Sequence, residues 1–119
     1  MRALAAALIL ITAATAAAAQ PPRTEIVADL AYATGQSHAL RQLCRGAEDQ
    51  YWRTRMERII DLEAKDQAAR GPLAERFNEG FRAARRQYPR CSDASRSAER
   101  AVAANGKALA NLLGRNRRP

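Results

Sequence analysis

The sequence predicts an all-α domain: a compact four-helix bundle behind an N-terminal signal peptide, closed by one disulfide. Three observations predict it. Apolar residues recur at steps of three and four through four segments, the spacing of one helical face. No segment alternates as a strand does, and the connections are two to five residues, which makes neighbouring helices antiparallel or steeply crossed. The only two cysteines, Cys44 and Cys91, fall at the end of the first segment and just before the fourth.

Residues 1–19 read as the signal peptide. Met1-Arg2 gives a positive start, Ala3 to Thr15 an apolar run, and Ala17-Ala18-Ala19 the small residues of a cleavage site before Gln20. The competing reading is a membrane anchor, but the apolar core falls short of the roughly 20 residues that a spanning helix needs. Nothing later in the chain is apolar enough to span. The expectation is a periplasmic protein, not membrane-spanning, with a helical domain over 20–114 and a disordered basic tail over 115–119.

Helix 1 is predicted from about Thr24 to Leu43, capped by Thr24 after Pro21-Pro22 and ended by Gly46. Its stripe is Ile26, Leu30, Ala33, Ser37, Leu40 and Cys44. Helix 2 is predicted from about Glu48 to Arg70, with Trp52, Met56, Ile59, Ile60 and Glu63 on or near one side. Spaced opposite charges (Arg53 with Glu57, Asp61 with Lys65, Asp66 with Arg70) would lace its outer face. Gly71-Pro72 is read as the break, with Pro72 opening helix 3, which runs to Tyr88 on a stripe of Leu73, Phe77, Phe81, Ala84 and Tyr88. Helix 4 is predicted from about Asp93 to Leu113, capped by Ser92 or Asp93 and ended by Gly114. Helices 1 and 4 are rich in Ala and thin in large side chains, which leaves room for a dimer that buries one face.

The formal net charge is +8, falling to +7 once Arg2 is removed with the signal peptide, and 18 of the 20 basic residues are Arg. Such charge usually points to nucleic acid, but export argues against that partner. An even pair of cysteines in an oxidising compartment reads as a disulfide, with free thiols or an intermolecular bridge as the alternatives. Two Cys and one His are too few soft ligands for a metal site, and no cofactor is expected.

Candidate functional residues are few. Arg82, Arg85, Arg86 and Arg90 gather at the end of helix 3, with Arg96 and Arg100 opening helix 4. Cations at a helix C-terminus are favourable in themselves, and a contact surface for an anion is the functional account. His38, the only histidine, is read as a surface residue beside Arg41 and Gln42. Glu63, if it faces the core, needs partners, since an unpaired buried carboxylate is costly. Gln36 and Asn78, with Arg76 as a fourth member, are the partners proposed for a buried polar cluster. Gly35 and Gly80 each cost about 1 kcal/mol inside a helix, a cost that close approach of two helices would explain. Trp52 is the better core candidate and Tyr51 the better surface residue, because neighbours on a helix point about 100° apart.

The stretches Ala31-Tyr32-Ala33-Thr34-Gly35-Gln36-Ser37-His38-Ala39-Leu40-Arg41-Gln42-Leu43-Cys44, Tyr51-Trp52-Arg53-Thr54-Arg55-Met56 and Phe77-Asn78-Glu79-Gly80-Phe81, ending at Cys91, resemble a family of short exported alphaproteobacterial proteins with a domain of unknown function. The resemblance spans about Ile26 to Leu113. It implies a Gram-negative periplasmic setting and pairing of Cys44 with Cys91, and it carries no activity or catalytic residues. No serine-nucleophile motif or phosphate-cradling glycine loop is present. The expected function is therefore a non-enzymatic binding or accessory protein for an anionic envelope component or a protein partner. A small stress-related holdase chaperone is the alternative.

Overall fold

The computed structural model describes residues 20–116 together with residues 10, 11, 13 and 14. The signal-peptide reading falls largely on residues outside that set, as do residues 117–119 of the tail. The described chain folds as four helices: α1 (Arg23–Arg45), α2 (Tyr51–Glu63), α3 (Gln67–Gln87) and α4 (Asp93–Asn116). They run alternately up and down. Tyr51 lies against Arg41 and Glu63 against Arg23, so α2 returns along α1. Val102 packs near Leu40, and Leu113 packs on Ile26 and Val27, so α4 also runs against α1.

The helix ends follow from local chemistry. Gly46 adopts φ 107°, where a side chain would be strained, and its N–H donates to the Gln42 carbonyl. Helix α1 starts at Arg23, one residue before the expected Thr24 cap, with the Pro22 carbonyl accepting from Glu25 and Ile26. Ser92 caps α4 through a reciprocal pair: Ser95 N–H donates to Ser92 Oγ at 3.0 Å and Ser92 N–H to Ser95 Oγ at 2.9 Å. Helix α4 runs on past Gly114 to Asn116, taking in the first two residues of the expected tail.

The boundary between the second and third helices differs from the expectation. Helix α2 ends at Glu63, and α3 begins at Gln67 and continues through Pro72. The reason is Asp66. Its carboxylate accepts from Ala69 N–H at 2.9 Å, which makes it the N-cap of α3 rather than an ion-pair partner of Arg70. Arg70 bonds Asp61 instead. Pro72 forfeits one helical bond to the Ala68 carbonyl, and both residues are exposed, so water can serve that oxygen.

Helix α1 is the hub. The other three pack on it, α2 touches α3 only thinly, and no Cα of α4 lies within 8 Å of one in α2 or α3. Every residue from Ala33 to Leu40 except Gln36 is buried. Three apolar clusters follow α1 from start to end: Ile26, Val27 and Leu30 with Leu113; Ala31 with Met56, Ile60 and Phe77; and Ala39 and Leu40 with Ala84. Cys44 and Cys91 form a disulfide that ties the end of α1 to the start of α4.

Gly35 and Gly80 set the α1–α3 spacing. A Cβ on Gly35 would lie 1.9 Å from the Phe77 carbonyl oxygen, and one on Gly80 would lie 2.0 Å from that of Tyr32. Each glycine thus points a Cα hydrogen at the carbonyl of the opposite helix, the arrangement of an interhelix Cα–H···O contact. This is the close approach expected from their cost in a helix.

Candidate functional site

Beside the glycine crossing, α1 places His38 against α3. The ring lies 5.5 Å from both Phe77 and Phe81, tilted to each, and is 4% exposed. The expectation of a surface histidine is therefore corrected. It assumes one buried stripe, whereas a hub helix is covered on several sides. His38 Nδ1 is buried with no hydrogen-bond partner among the described residues. Burial pushes its pKa down, the nearby Arg53 charge adds to this, and Asp49 opposes it.

The titration has a stability consequence. The unfolded chain takes up a proton near pH 6.5, while the folded chain resists it. Stability is therefore complete above about pH 6.5 and falls below it, by at most about 1.4 kcal/mol per pH unit for one proton. Melting temperatures between about pH 7.5 and about pH 5 should drop more steeply for the wild type than for His38→Phe. Parallel curves would assign the acid sensitivity to other groups.

At the turn into α2, Asp49 accepts from Arg41 Nε at 2.9 Å and from Tyr51 N–H at 3.2 Å. Burial alone would raise the Asp49 pKa, but these two bonds and the charges of Arg41 and Arg45 outweigh it and lower the value. Tyr51 is exposed, with the guanidinium of Arg55 3.8 Å from its ring centre, that of Arg41 at 4.4 Å, and the Trp52 ring edge-on at 5.1 Å. The expected division between the two aromatics holds in part: Tyr51 is on the surface, and Trp52 is half-buried.

The proposed cluster of Gln36, Glu63 and Asn78 does not assemble. Glu63 closes a bidentate pair with Arg23, at 2.6 Å to Nη2 and 3.0 Å to Nε. Arg23 Nη1 also donates to the Leu113 carbonyl at 3.2 Å, so one side chain clasps the start of α1 to the ends of α2 and α4. The Glu63 bond raises the Arg23 pKa further. Gln36 lies 13 residues along α1 from Arg23, about 20 Å at the helical rise, and beside Gly80. Asn78 is exposed. Arg76 pairs with Glu79 and Asp29 and covers the Tyr32 ring at 4.7 Å. Glu63 does need a cation, but sequence spacing cannot select one 40 residues away.

Arg82, Arg85, Arg86 and Arg90 are all exposed, the first three on α3 away from α1 and Arg90 just beyond the helix end. Arg82 bonds Glu75 at 2.9 Å. Arg85, Arg86 and Arg90 have no carboxylate within ion-pair distance among the described residues. Their charge is directed to solvent beside the disulfide.

Two depressions mark the surface of the described residues. A cleft of about 720 Å³ lies where α1 starts, between the end of α2 and the start of α3, with Leu62 on its rim. Its arginine, Arg23, is already held by Glu63. A groove of about 330 Å³ runs between α2 and α4 over α1. Among the described residues there is no group of three or more His, Cys, Asp or Glu side chains able to hold a metal, and no helix is long and apolar enough to cross a membrane.

A family model described as "Protein of unknown function (DUF2385)" matches residues 22–116, and the chain belongs to that family. No curated protein and no solved structure matches the chain.

Proposed function

We propose that this family member is a non-enzymatic periplasmic binding or accessory protein that contacts an anionic envelope component, or an acidic protein partner, through Arg82, Arg85, Arg86 and Arg90. The observation that carries the reading is that Arg85, Arg86 and Arg90, all exposed at or just beyond the end of α3, have no carboxylate partner among the described residues. Three guanidinium forks left to solvent suit bidentate contact with phosphate or carboxylate. The periplasmic placement is compatible with the Cys44–Cys91 bridge and rests on the signal-peptide reading. The non-enzymatic reading is supported by His38, which is wedged between two phenylalanines and poorly placed to relay protons.

The test compares the wild type with a variant in which the four arginines are replaced by Glu. Binding to phosphatidylglycerol vesicles, to lipopolysaccharide and to envelope extract should fall steeply with salt for the wild type. It should be lost in the variant while the melting temperature stays within a few degrees. Equal binding by both proteins, or binding indifferent to salt, would return these residues to the role of a solvated helix end.

One observation favours the holdase as a second reading. His38 seals the α1–α3 seam, and its protonation would loosen Phe77 and Phe81 in acid. Client aggregation should then be suppressed at low pH by the wild type and not by His38→Phe. Suppression that is equal in both would remove this reading's support.

A further inference from the structure

The seam between α2 and α4 differs from the rest of the bundle. Both helices pack on α1, no Cα of one lies within 8 Å of a Cα of the other, and the groove left between them is open to solvent. Leu30 and Ala33 line it from α1, Trp52 and Ile59 from α2, and Gly106 and Ala110 from α4. Thr34 adds no free polar group, because its hydroxyl donates to the Leu30 carbonyl of its own helix. The remaining charged lining is of one sign: Arg55, Arg58 and Lys107, with no carboxylate among the lining residues. None of the three makes an ion pair among the described residues. The Arg55 guanidinium also lies over the neighbouring Tyr51 ring, 3.8 Å from its centre.

We propose that this groove binds a single-chain anionic amphiphile taken up as a monomer. The aliphatic chain lies along the floor, and the carboxylate or phosphate head meets Arg55, Arg58 and Lys107. Groove and amphiphile are complementary at both ends. An apolar floor with small walls accepts methylenes, and the cationic rim has no internal counter-charge. The volume, about 330 Å³, is at the lower end for small-ligand sites. It spans about two turns of each helix, roughly 10 Å, a length suited to one extended chain. The cleft at the start of α1 is larger, but its arginine is neutralised by Glu63. The proposal does not depend on the arginines of α3, which are separate from this groove.

Trp52 is the only tryptophan in the chain and lines the groove, so it reports directly. Dodecyl phosphate, titrated below its micelle concentration into the disulfide-intact protein, should change Trp52 fluorescence saturably. Butyl phosphate should bind more weakly, since each methylene buried within the groove multiplies affinity by about threefold to fourfold. Dodecyltrimethylammonium should bind at least about tenfold more weakly, as should dodecyl phosphate to the Arg58→Glu/Lys107→Glu variant.

Gly106→Leu supplies an independent check. Gly106 lines the groove and nothing lies within 4 Å of the position of its Cβ, so the backbone leaves room there for a side chain that would occupy the groove. It should hold or raise the melting temperature and abolish the response. The proposal is overturned by equal affinity for the cationic amphiphile or by undiminished binding to folded Gly106→Leu. A response to phosphatidylglycerol vesicles with none to the monomer would overturn it too.

Discussion

Gly35→Ala is expected to lower folding stability by about 3 kcal/mol, and Gly80→Ala by a similar amount, at the upper end of the cost of overpacking. In either variant the new methyl would sit about 2 Å from a main-chain carbonyl oxygen of the opposite helix, Phe77 for one and Tyr32 for the other. A side chain in the way can rotate, but a helical carbonyl cannot. The helices must separate, and separation opens the seam that holds Ala31, His38, Ala39, Phe77 and Ala84. The gain of about 1 kcal/mol in helix propensity from Gly to Ala is already inside that net figure. For a domain of this size the loss corresponds to a fall of about 15 °C in melting temperature.

The other helical glycines are the controls. At Gly71, Gly106 and Gly114 nothing lies within 4 Å of the place an added methyl would take. Alanine there should be neutral or stabilising by up to about 1 kcal/mol. Thermal melts of the five alanine variants should divide into two destabilised and three not. A Gly35→Ala protein that melts with the Gly106→Ala protein would mean that the helices do not approach this closely in solution.

Removal of the disulfide should have an effect of the same order or larger. The bridge spans 47 residues, for which chain-entropy arithmetic gives about 4 kcal/mol of stabilisation. That corresponds to about 20 °C in melting temperature. The loss should be uneven. Helix α4 packs its backbone on α1 alone, and the bridge anchors its start. In Cys44→Ser/Cys91→Ser, hydrogen exchange should therefore accelerate first in α4 and least along the α1–α3 crossing. Cys44 is exposed, so reductant has access to the bond without unfolding. A reduced protein that melts within a few degrees of the oxidised one would contradict the assignment.

Much of this architecture is legible in the sequence because it rests on local signals. The helical periodicities, Gly46 and the Ser92 cap each act within a few residues of themselves, and two cysteines admit only one intramolecular bridge. Gly35 and Gly80 are legible for a different reason: a residue unfavourable in a helix needs a tertiary cause, and close approach is the common one. The features that escape a sequence reading need knowledge of neighbours. Asp66 reads equally well as an i,i+4 partner of Arg70 and as a helix cap, and the bond to Ala69 decides it. Glu63 requires a cation, and without the topology Arg76 is as available to it as Arg23.

The scarcity of large side chains in α1 suggests an under-filled face when the helix is considered alone. It is instead what lets three helices gather around one, because Ala31, Ala33, Gly35, Ser37 and Ala39 keep the hub narrow. The same one-sided picture of α1 puts His38 on the surface. A helix in the middle of a bundle has little solvent side on which to put its polar residues. The candidate sites are only half legible. The α3 arginines stand out in the sequence, whereas the α2–α4 groove exists only because two helices fail to meet.

The hub is also made before the three helices that cover it, and this orders assembly. Helix α1 cannot hide its sides until its neighbours exist, and the last of them, α4, ends at Asn116. A nascent chain stopped after α3 has buried Phe77 and Ala84 but still bares the α1 side that Leu109 and Leu113 will cover. Few stable intermediates are then open to it. Until α4 is made, the chain exposes apolar surface of the kind that chaperones shield.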